Sequence, residues 1–323
     1  MKQESALKRV FGTKSATLVC IIIVIIVFFW IMKPAYLSSG NLRTMMNAIS
    51  LSGMLSIGIA ALLICGEVDL ATGAEAMFGG ITCALCLQAG LSIPVSILIA
   101  IAFGALAGLI NSLLVNVLNL MSFIASIGMA SVYTGIAAYI TGAKGVGLSG
   151  AFLKLGTSAL FNVIPTPFFV MLVFMAIYAF ALKHTNIGRT IYMVGGNRTA
   201  ARLAGINPKK VTTIMFINNG IIASIAGVLL ASRMHTAQVS AAATGALDAI
   251  TAAVLGGVSF TGGVGGMGGC LVGLILINTF VNGLISIGLS TYWQLVAQGI
   301  LLVIALSFDY FNERARQRRL GLI

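Results

Sequence analysis

The chain has 323 residues, of which 59% are hydrophobic and only 8% are charged, and its mean hydropathy is +1.06. In soluble domains about a quarter of all residues are charged. This composition therefore excludes a soluble protein with a polar surface. The formal net charge of +12 is spread between apolar runs instead of being gathered on one face, which argues against nucleic-acid binding. We therefore predict an all-α polytopic membrane protein.

Long apolar runs, separated by turn residues and charges, predict about ten transmembrane helices, some of them broken or short. About 20 apolar residues span the hydrocarbon core of a bilayer. The first run, Ser15 to Met32, is long enough to span, and we expect a retained helix there in place of a signal peptide. The predicted spans are residues 15–33, 43–66, 72–90, 92–118, 121–141, 164–183, 211–232, 245–259, 266–287 and 291–309.

The positions of Lys and Arg predict that both termini and the loop 183–210 lie in the cytoplasm. Short cytoplasmic loops carry an excess of these residues. The basic residues expected inside are Lys2, Lys8, Arg9, Lys14, Lys183, Arg189, Arg198, Arg202, Lys209, Lys210, Arg314, Arg316, Arg318 and Arg319. Those expected outside are Lys33, Arg43, Lys144, Lys154 and Arg233. If the number of membrane spans before it differed by one, the basic loop 183–210 would lie outside the cytoplasm.

Carboxylates in apolar surroundings are costly, so Glu67, Asp69, Glu75 and Asp248 each indicate a functional or structural role. The first three lie close together in and after the glycine-flanked segment 66–73, whose backbone need not be helical. Glu67 or Asp69 is expected to cap a half-helix, and Asp69 is able to hold a loop arginine. Direct contact with a substrate stays open as the alternative role.

Two glycine-rich segments, 66–73 and 256–263, are similar in residue type, and each follows an alanine-rich apolar run. Paired interruptions of this kind indicate broken helices at a transport pathway, although chance similarity explains the match equally well. Two further groups of small residues predict close helix packing. They are Gly104, Ala107 and Gly108, and Gly265, Gly269 and Gly273.

No residue is predicted to be catalytic or to bind a metal. Cys83 and Cys86 have a C-x-x-C spacing but lack a second pair or a nearby His, so we expect all five cysteines to pack in apolar surroundings. A membrane enzyme that uses the carboxylates as acid and base would also need a convergent His, Ser or Cys, and the sequence shows none.

The loop 183–210 predicts a short helix from Thr199 to Leu203, which follows a flexible Gly195-Gly196-Asn197 and closes on Gly205 before Pro208. So short an element does not span a membrane. It is expected at the cytoplasmic surface, either as a contact for another protein or as a solvated connector.

Three blocks resemble the permease subunits of ABC importers for ribose, xylose, arabinose, galactose and autoinducer-2. Residues 66–73 are similar to the family's G-G-I-D-L-S-V-G, residues 188–206 to its G-R-x-x-x-x-x-G-G-N-x-x-A-A-x-x-x-G-I, and residues 247–257 to its F-D-A-I-A-A-V-V-L-G-G. Two residues depart from this pattern: Glu67 replaces the commoner second glycine, and Ala246 stands where many relatives carry Glu.

The resemblance implies one transmembrane permease domain over residues 1–323, with a type II ABC importer-like fold, in a bacterial cytoplasmic (inner) membrane. It also implies a second permease copy, identical or not, two ABC ATPase subunits, a periplasmic or extracellular sugar-binding protein, and contact with membrane lipid. ATP and Mg²⁺ would bind the partner subunits, because the chain has no G-x-x-x-x-G-K-[ST] and binds no cofactor itself. The residues implied in coupling to the ATPase are Gly195, Gly196, Asn197, Ala200, Ala201, Arg202 and Gly205.

A sugar path needs polar side chains, and amides exchange hydrogen bonds readily with hydroxyls. The candidates besides Glu67, Asp69 and Asp248 are Asn47, Asn218, Asn219, Asn278 and Asn282. Hydrogen bonds between helices explain these asparagines equally well. The alternative function is a secondary transporter, in which Glu67, Asp69 or Asp248 binds a proton or a sodium ion that drives uptake.

Overall fold

The structure is a computed structural model that describes residues 14–319, and its regular elements are almost all helices. The helices are α1 (Lys14–Met32), α2 (Ser39–Ile64), α3 (Thr72–Gln88), α4 (Ile93–Asn116), α5 (Ser122–Thr141), α6 (Lys154–Thr157), α7 (Thr166–His184), α8 (Asn186–Gly196), α9 (Arg198–Leu203), α10 (Pro208–Met234), α11 (Gly245–Leu255), α12 (Met267–Ser286) and α13 (Thr291–Arg319). Two short 3₁₀ turns occupy Pro34–Leu37 and Gly150–Leu153.

Each predicted span falls on a helix, but the helices differ in their ability to cross a bilayer. Within residues 14–319, six are long and apolar enough: α2, α4, α5, α7, α10 and α12. α11 has 11 residues, so it covers about 17 Å of a hydrocarbon core that is about 30 Å thick. It also ends at Leu255, before the predicted end at residue 259. The all-helical membrane class is confirmed, and the count of ten crossings stays a prediction.

The centre of the bundle is formed by α2 and α10. Residues 53–65 of α2 and its C-terminus are all buried, and α10 packs against α2, α3 and α4. Glycines bring α4 and α10 together, because a Cβ on Gly220 would lie 2.1 Å from the carbonyl oxygen of Gly104 and one on Gly108 would lie 2.2 Å from that of Phe216. This confirms the close packing predicted around Gly104 and Gly108.

The second predicted group of small residues packs α12 on α11. A Cβ on Gly269 would lie 2.0 Å from the carbonyl oxygen of Gly256, and one on Gly273 would lie 2.2 Å from that of Ala252. The outer helices turn apolar side chains outwards, as Val24 in α1, Leu98 in α4 and Phe180 in α7 do. The bundle therefore presents an apolar surface while its backbone groups are paired within helices, as the interior of a bilayer would require.

The two ends of the bundle carry different structures. At one end β1 (Val146–Gly147) pairs antiparallel with β4 (Thr236–Ala237), and β2 (Ala159–Leu160) pairs antiparallel with β3 (Ile164–Pro165). α7 runs from β3 to α8, and α10 runs from the residues after α9 back to β4. The helices α8 and α9 therefore lie at the end opposite the strands.

Candidate functional site

The segment predicted to couple to another protein contains α9 and its caps. Asn197 precedes α9 in extended backbone, and its side-chain oxygen accepts hydrogen bonds from the N–H groups of Thr199 and Ala200, both at 2.9 Å. This N-cap satisfies donors that the first turn leaves free. Gly205 follows the helix with a φ of +82°. The predicted short helix that closes on Gly205 is confirmed, and it begins at Arg198.

The prediction that Gly195, Gly196 and Asn197 form a flexible link is wrong. Both glycines belong to the helix α8, and only Asn197 breaks it. A Cβ on Gly195 would lie 1.8 Å from the carbonyl oxygen of Ile64 and 2.7 Å from the backbone nitrogen of Gly263. Gly195 is therefore needed for close contact between three backbone segments, and flexibility is not its role.

The two glycine-rich segments that resemble each other end their helices in the same way. After α2, the N–H of Gly66 donates to Leu63 O and the N–H of Glu67 donates to Leu62 O. After α11, the N–H groups of Gly257 and Val258 donate in the same way to the last turn of that helix. Each pair is a Schellman motif, and Gly66 and Gly257 have φ angles of +81° and +90°. The predicted pairing of Gly66 with Gly256 is therefore shifted by one residue.

These two helix ends meet each other at α8. The N–H of Gly263 donates a 2.8 Å hydrogen bond to Ile64 O, and Gly195 packs against both residues. The hydroxyl of Tyr192 adds a 2.8 Å bond to Gly265 O, and burial raises the pKa of this phenol. We call Ile64, Gly66, Gly195, Gly262 and Gly263 the glycine junction. It joins α8 to the segment 65–71 and to the segment 256–266.

An ion pair adds a side-chain link beside the glycine junction. Arg198, the first residue of α9, donates to the Oε1 carboxylate oxygen of Glu67. The prediction that Asp69 holds a loop arginine is wrong, since Glu67 does so. Glu67 is one of the two residues that depart from the family pattern. Its side chain is only 6% exposed, whereas the side chain of Arg198 is 46% exposed, so the pair joins a buried carboxylate to a cation at the surface.

We expect this pair to show energetic coupling in a double-mutant cycle. Glu67→Gln and Arg198→Gln should each lower the free energy of unfolding, Arg198→Gln the more because it leaves a buried carboxylate unpaired. The double variant should lose less than the sum of the two, with a coupling of about 1–3 kcal/mol. Thermal unfolding of the purified proteins measures this. Strict additivity would contradict a functional ion pair at this position.

The remaining coupling candidates differ in exposure. Ala200, Arg202 and Gly205 are exposed, whereas Ala201 is buried and packs inwards. Leu203, which was not among the predicted coupling residues, is 86% exposed at the end of α9. The sequence did offer one indication: Leu203 is an apolar residue at the end of a helix that was predicted to lie at the cytoplasmic surface.

Asp69 lies in a fully buried polar cluster between α3, α4, α5 and α10. Its Oδ1 accepts from Ala71 N at 2.8 Å, and its Oδ2 accepts from Asn111 at 3.1 Å and from Asn219 at 3.2 Å. Neither Glu67 nor Asp69 caps α3 as predicted, because the N-cap is Ala71 and no side chain makes a capping bond there; the bond from Ala71 instead closes the turn before the helix. Asp69 is 0% exposed, and its structural contacts occupy the oxygens that a substrate would need.

Asp248 and most of the asparagine candidates also make structural bonds. Asp248 accepts a 3.0 Å bond from Thr244 in the first turn of α11, where a negative charge is favourable. The asparagine bonds join neighbouring helices or turns, which is the alternative explanation given for them. Asn218 pairs with Tyr178, Asn219 with Thr72, Asn278 with Ser52, and Asn282 with Asn41, while the backbone oxygen of Asn47 accepts from Arg233.

A cavity of about 510 Å³ lies elsewhere, between α3, α5 and the segment after β4. This falls in the range of about 300–1,000 Å³ typical of small-molecule sites. Its walls are mostly small apolar residues, with the hydroxyl residues Ser131 and Thr134 on α5. The predicted path residues do not line it. Its lining on α3 is formed by Gly73, Ala74 and Met77, which follow directly on the segment 65–71.

No group of three or more His, Cys, Asp or Glu side chains that could hold a metal ion occurs within residues 14–319. Cys83 and Cys86 are free thiols there, and Cys83 is buried.

Comparison with known proteins gives consistent matches over most of the chain. Residues 41–306 match the protein family described as branched-chain amino acid transport system / permease component. The ribose import permease protein RbsC of Bacillus subtilis (strain 168) is 31% identical, with 88% of this chain and 89% of the relative covered.

Two further relatives are named for other pentoses. The L-arabinose transport system permease protein AraH of Escherichia coli (strain K12) is 29% identical, with 89% of this chain and 88% of the relative covered. The xylose transport system permease protein XylH of Haemophilus influenzae (strain ATCC 51907 / DSM 11121 / KW20 / Rd) is also 29% identical, with 91% and 95% covered. No solved structure matches the chain. These matches confirm the resemblance that the three sequence blocks predicted.

Proposed function

This chain belongs to the family of branched-chain amino acid transport system permease components, and we propose that it is the permease subunit of an ATP-driven importer for a sugar or a sugar-like polar solute. Its relatives are named as transport components, and it is a transport component itself, not an enzyme. We propose a sugar as the solute because the relatives are named for ribose, arabinose and xylose.

The glycine junction is the observation that carries the proposed coupling role. α8 and α9 lie at one end of the bundle with Leu203 exposed, and the junction ties them to the segments that follow α2 and α11. A movement imposed on α9 would therefore reach both segments together, because close-packed backbone transmits a displacement to the segments in contact with it. A solvated connector would need no such contacts.

The segment 65–71 leads directly into α3, and α3 forms one wall of the 510 Å³ cavity. We propose that this cavity contributes to the sugar path. The hydroxyl groups of Ser131 and Thr134 supply polar contacts for a sugar, and the small side chains leave room for it. ATP binding and hydrolysis on the partners would move α9, shift α3 and open the path alternately to each side of the membrane.

The proposed assembly contains a second permease copy, two ATPase subunits with ATP and Mg²⁺, and an extracellular or periplasmic sugar-binding protein. This chain would sit in the bacterial inner membrane with about ten crossings, a type II importer-like arrangement, and both termini in the cytoplasm. In that orientation α8 and α9 face the ATPase subunits, and the strand pairs face the binding protein.

Reconstitution tests the energy source. The chain should co-purify with ATPase subunits, and vesicles that contain the complex should accumulate sugar when ATP and Mg²⁺ are supplied on the cytoplasmic side with the binding protein on the other. A proton or sodium gradient without ATP should give no accumulation. Accumulation driven by an ion gradient in vesicles that lack an ATPase would overturn the proposal and support the secondary transporter.

A further inference from the structure

Two carboxylates lie side by side in the buried cluster around Asn111. The side-chain amide of Asn111 donates to Asp69 Oδ2 at 3.1 Å and to Glu75 Oε1 at 3.0 Å. Asp69 is 0% exposed and Glu75 is 1% exposed, so both carboxyl groups are buried away from bulk solvent. One amide group thus holds two groups that would each carry a negative charge if ionised.

The two carboxylates are stabilised very unequally. Asp69 accepts three hydrogen bonds, from Ala71 N, Asn111 and Asn219. Glu75 accepts one, from Asn111, and its Oε2 has no hydrogen-bond partner in the described part of the chain. Tyr133 is adjacent, but its hydroxyl contacts Ala107 O and Asn111 Oδ1, at 3.0 and 3.2 Å. Hydrogen bonds to the charged form therefore favour ionisation at Asp69 and not at Glu75.

In the described part of the chain, no cation compensates the pair. Among residues 14–319 neither carboxylate forms an ion pair, and the elements packed around them contribute Asn111 from α4, Tyr133 from α5 and Asn219 from α10. Asp69 and Tyr133 are the titratable groups that face Glu75. Two like charges in such a site repel each other strongly, and an unpaired buried charge also loses its hydration. One proton on the pair removes the repulsion and leaves a single buried charge, which is favoured on Asp69 because that carboxylate accepts more hydrogen bonds.

We propose that Asp69 and Glu75 form a binding site for one resident proton, which Glu75 holds at neutral pH while Asp69 is ionised. The proton neutralises Glu75 where α3 packs on α4 and α10, so the pair carries one negative charge instead of two. The opposite face of α3, with Gly73, Ala74 and Met77, lines the cavity. The proton is a structural component of this wall and is not carried with the solute.

Infrared spectroscopy with isotope-labelled glutamate tests the proposal. The chain has four glutamates, Glu4, Glu67, Glu75 and Glu313, so ¹³C at the glutamate carboxyl carbon separates their signals from those of aspartate. At neutral pH the purified chain should show a carbonyl band of a protonated carboxyl group that moves on labelling. Glu75→Gln should lose this band, because its amide keeps the bond from Asn111 but has no acid proton. The matched Glu67→Gln should retain it.

A second variant tests the repulsion between the two acids without removing Glu75. In Asp69→Asn the neighbouring negative charge is absent, so the glutamate band should disappear at a lower pH than in the unaltered chain. Absence of a labelled protonated-carboxyl band at neutral pH, or its persistence in Glu75→Gln, would overturn the proposal. A band whose pH dependence is unchanged in Asp69→Asn would overturn the assignment of the pair as one site.

Discussion

Replacing Leu203 with glutamate is expected to uncouple the chain from its ATPase subunits while leaving its own fold intact. In the isolated chain the side chain is 86% exposed, so a charged residue costs little there. If α9 docks into a groove on the ATPase, Leu203 becomes buried, and full burial of a leucine contributes about 1.5–3 kcal/mol. Its loss weakens the complex about tenfold or more. Burial of the new charge weakens it further.

The measurement is ATPase co-purification together with substrate-stimulated ATP hydrolysis in vesicles. Leu203→Met keeps an apolar side chain of similar volume and should retain both. Phe161→Glu is the control for the added charge, because Phe161 is 90% exposed at the opposite end of the bundle and should leave ATPase co-purification unchanged. If Leu203→Glu binds and stimulates the ATPase as well as the unaltered chain, α9 is not the docking element.

Features governed by nearby residues were predictable from the sequence. The short helix that closes on Gly205 follows from the stop signals of Gly205 and Pro208, and the structure contains the helix and its end. The similarity of the two glycine-rich segments predicted the matching helix ends at Gly66 and Gly257 to within one residue, because a glycine after a helix is also a local signal. The packing glycines were visible from their helical spacing alone.

Features that depend on distant contacts were not predictable in the same way. Glu67 and Arg198 are separated by 131 positions, and nothing near either residue identifies its partner. Gly195 was interpreted as flexible because a sequence does not distinguish a glycine that bends from one that admits a neighbouring backbone. The asparagines were assigned to a path by their chemistry, whereas the structure places most of them in bonds between helices or turns.

Because of the glycine junction, we expect alanine to have opposite effects on stability at the adjacent positions Gly195 and Gly196. Gly195→Ala places a methyl group 1.8 Å from Ile64 O and 2.7 Å from Gly263 N, and both obstacles are backbone atoms that no rotamer change removes. α8 must then move away from the two helix ends, at a cost of about 1–3 kcal/mol. We expect a lower unfolding temperature and the loss of substrate-stimulated ATP hydrolysis, even in molecules that still bind the ATPase.

Gly196→Ala is the matched control, because it is the same chemical change in the same helix and its Cβ meets no atom within 4 Å. Alanine is the better helix former by about 1 kcal/mol, so this variant should be as stable as the unaltered chain or slightly more so. Activity should be retained. If the two alanine variants behave alike, contact at Gly195 does not transmit movement from α9. A loss confined to Gly195→Ala, with ATPase binding preserved, would separate transmission of the movement from docking, since Leu203→Glu impairs docking itself.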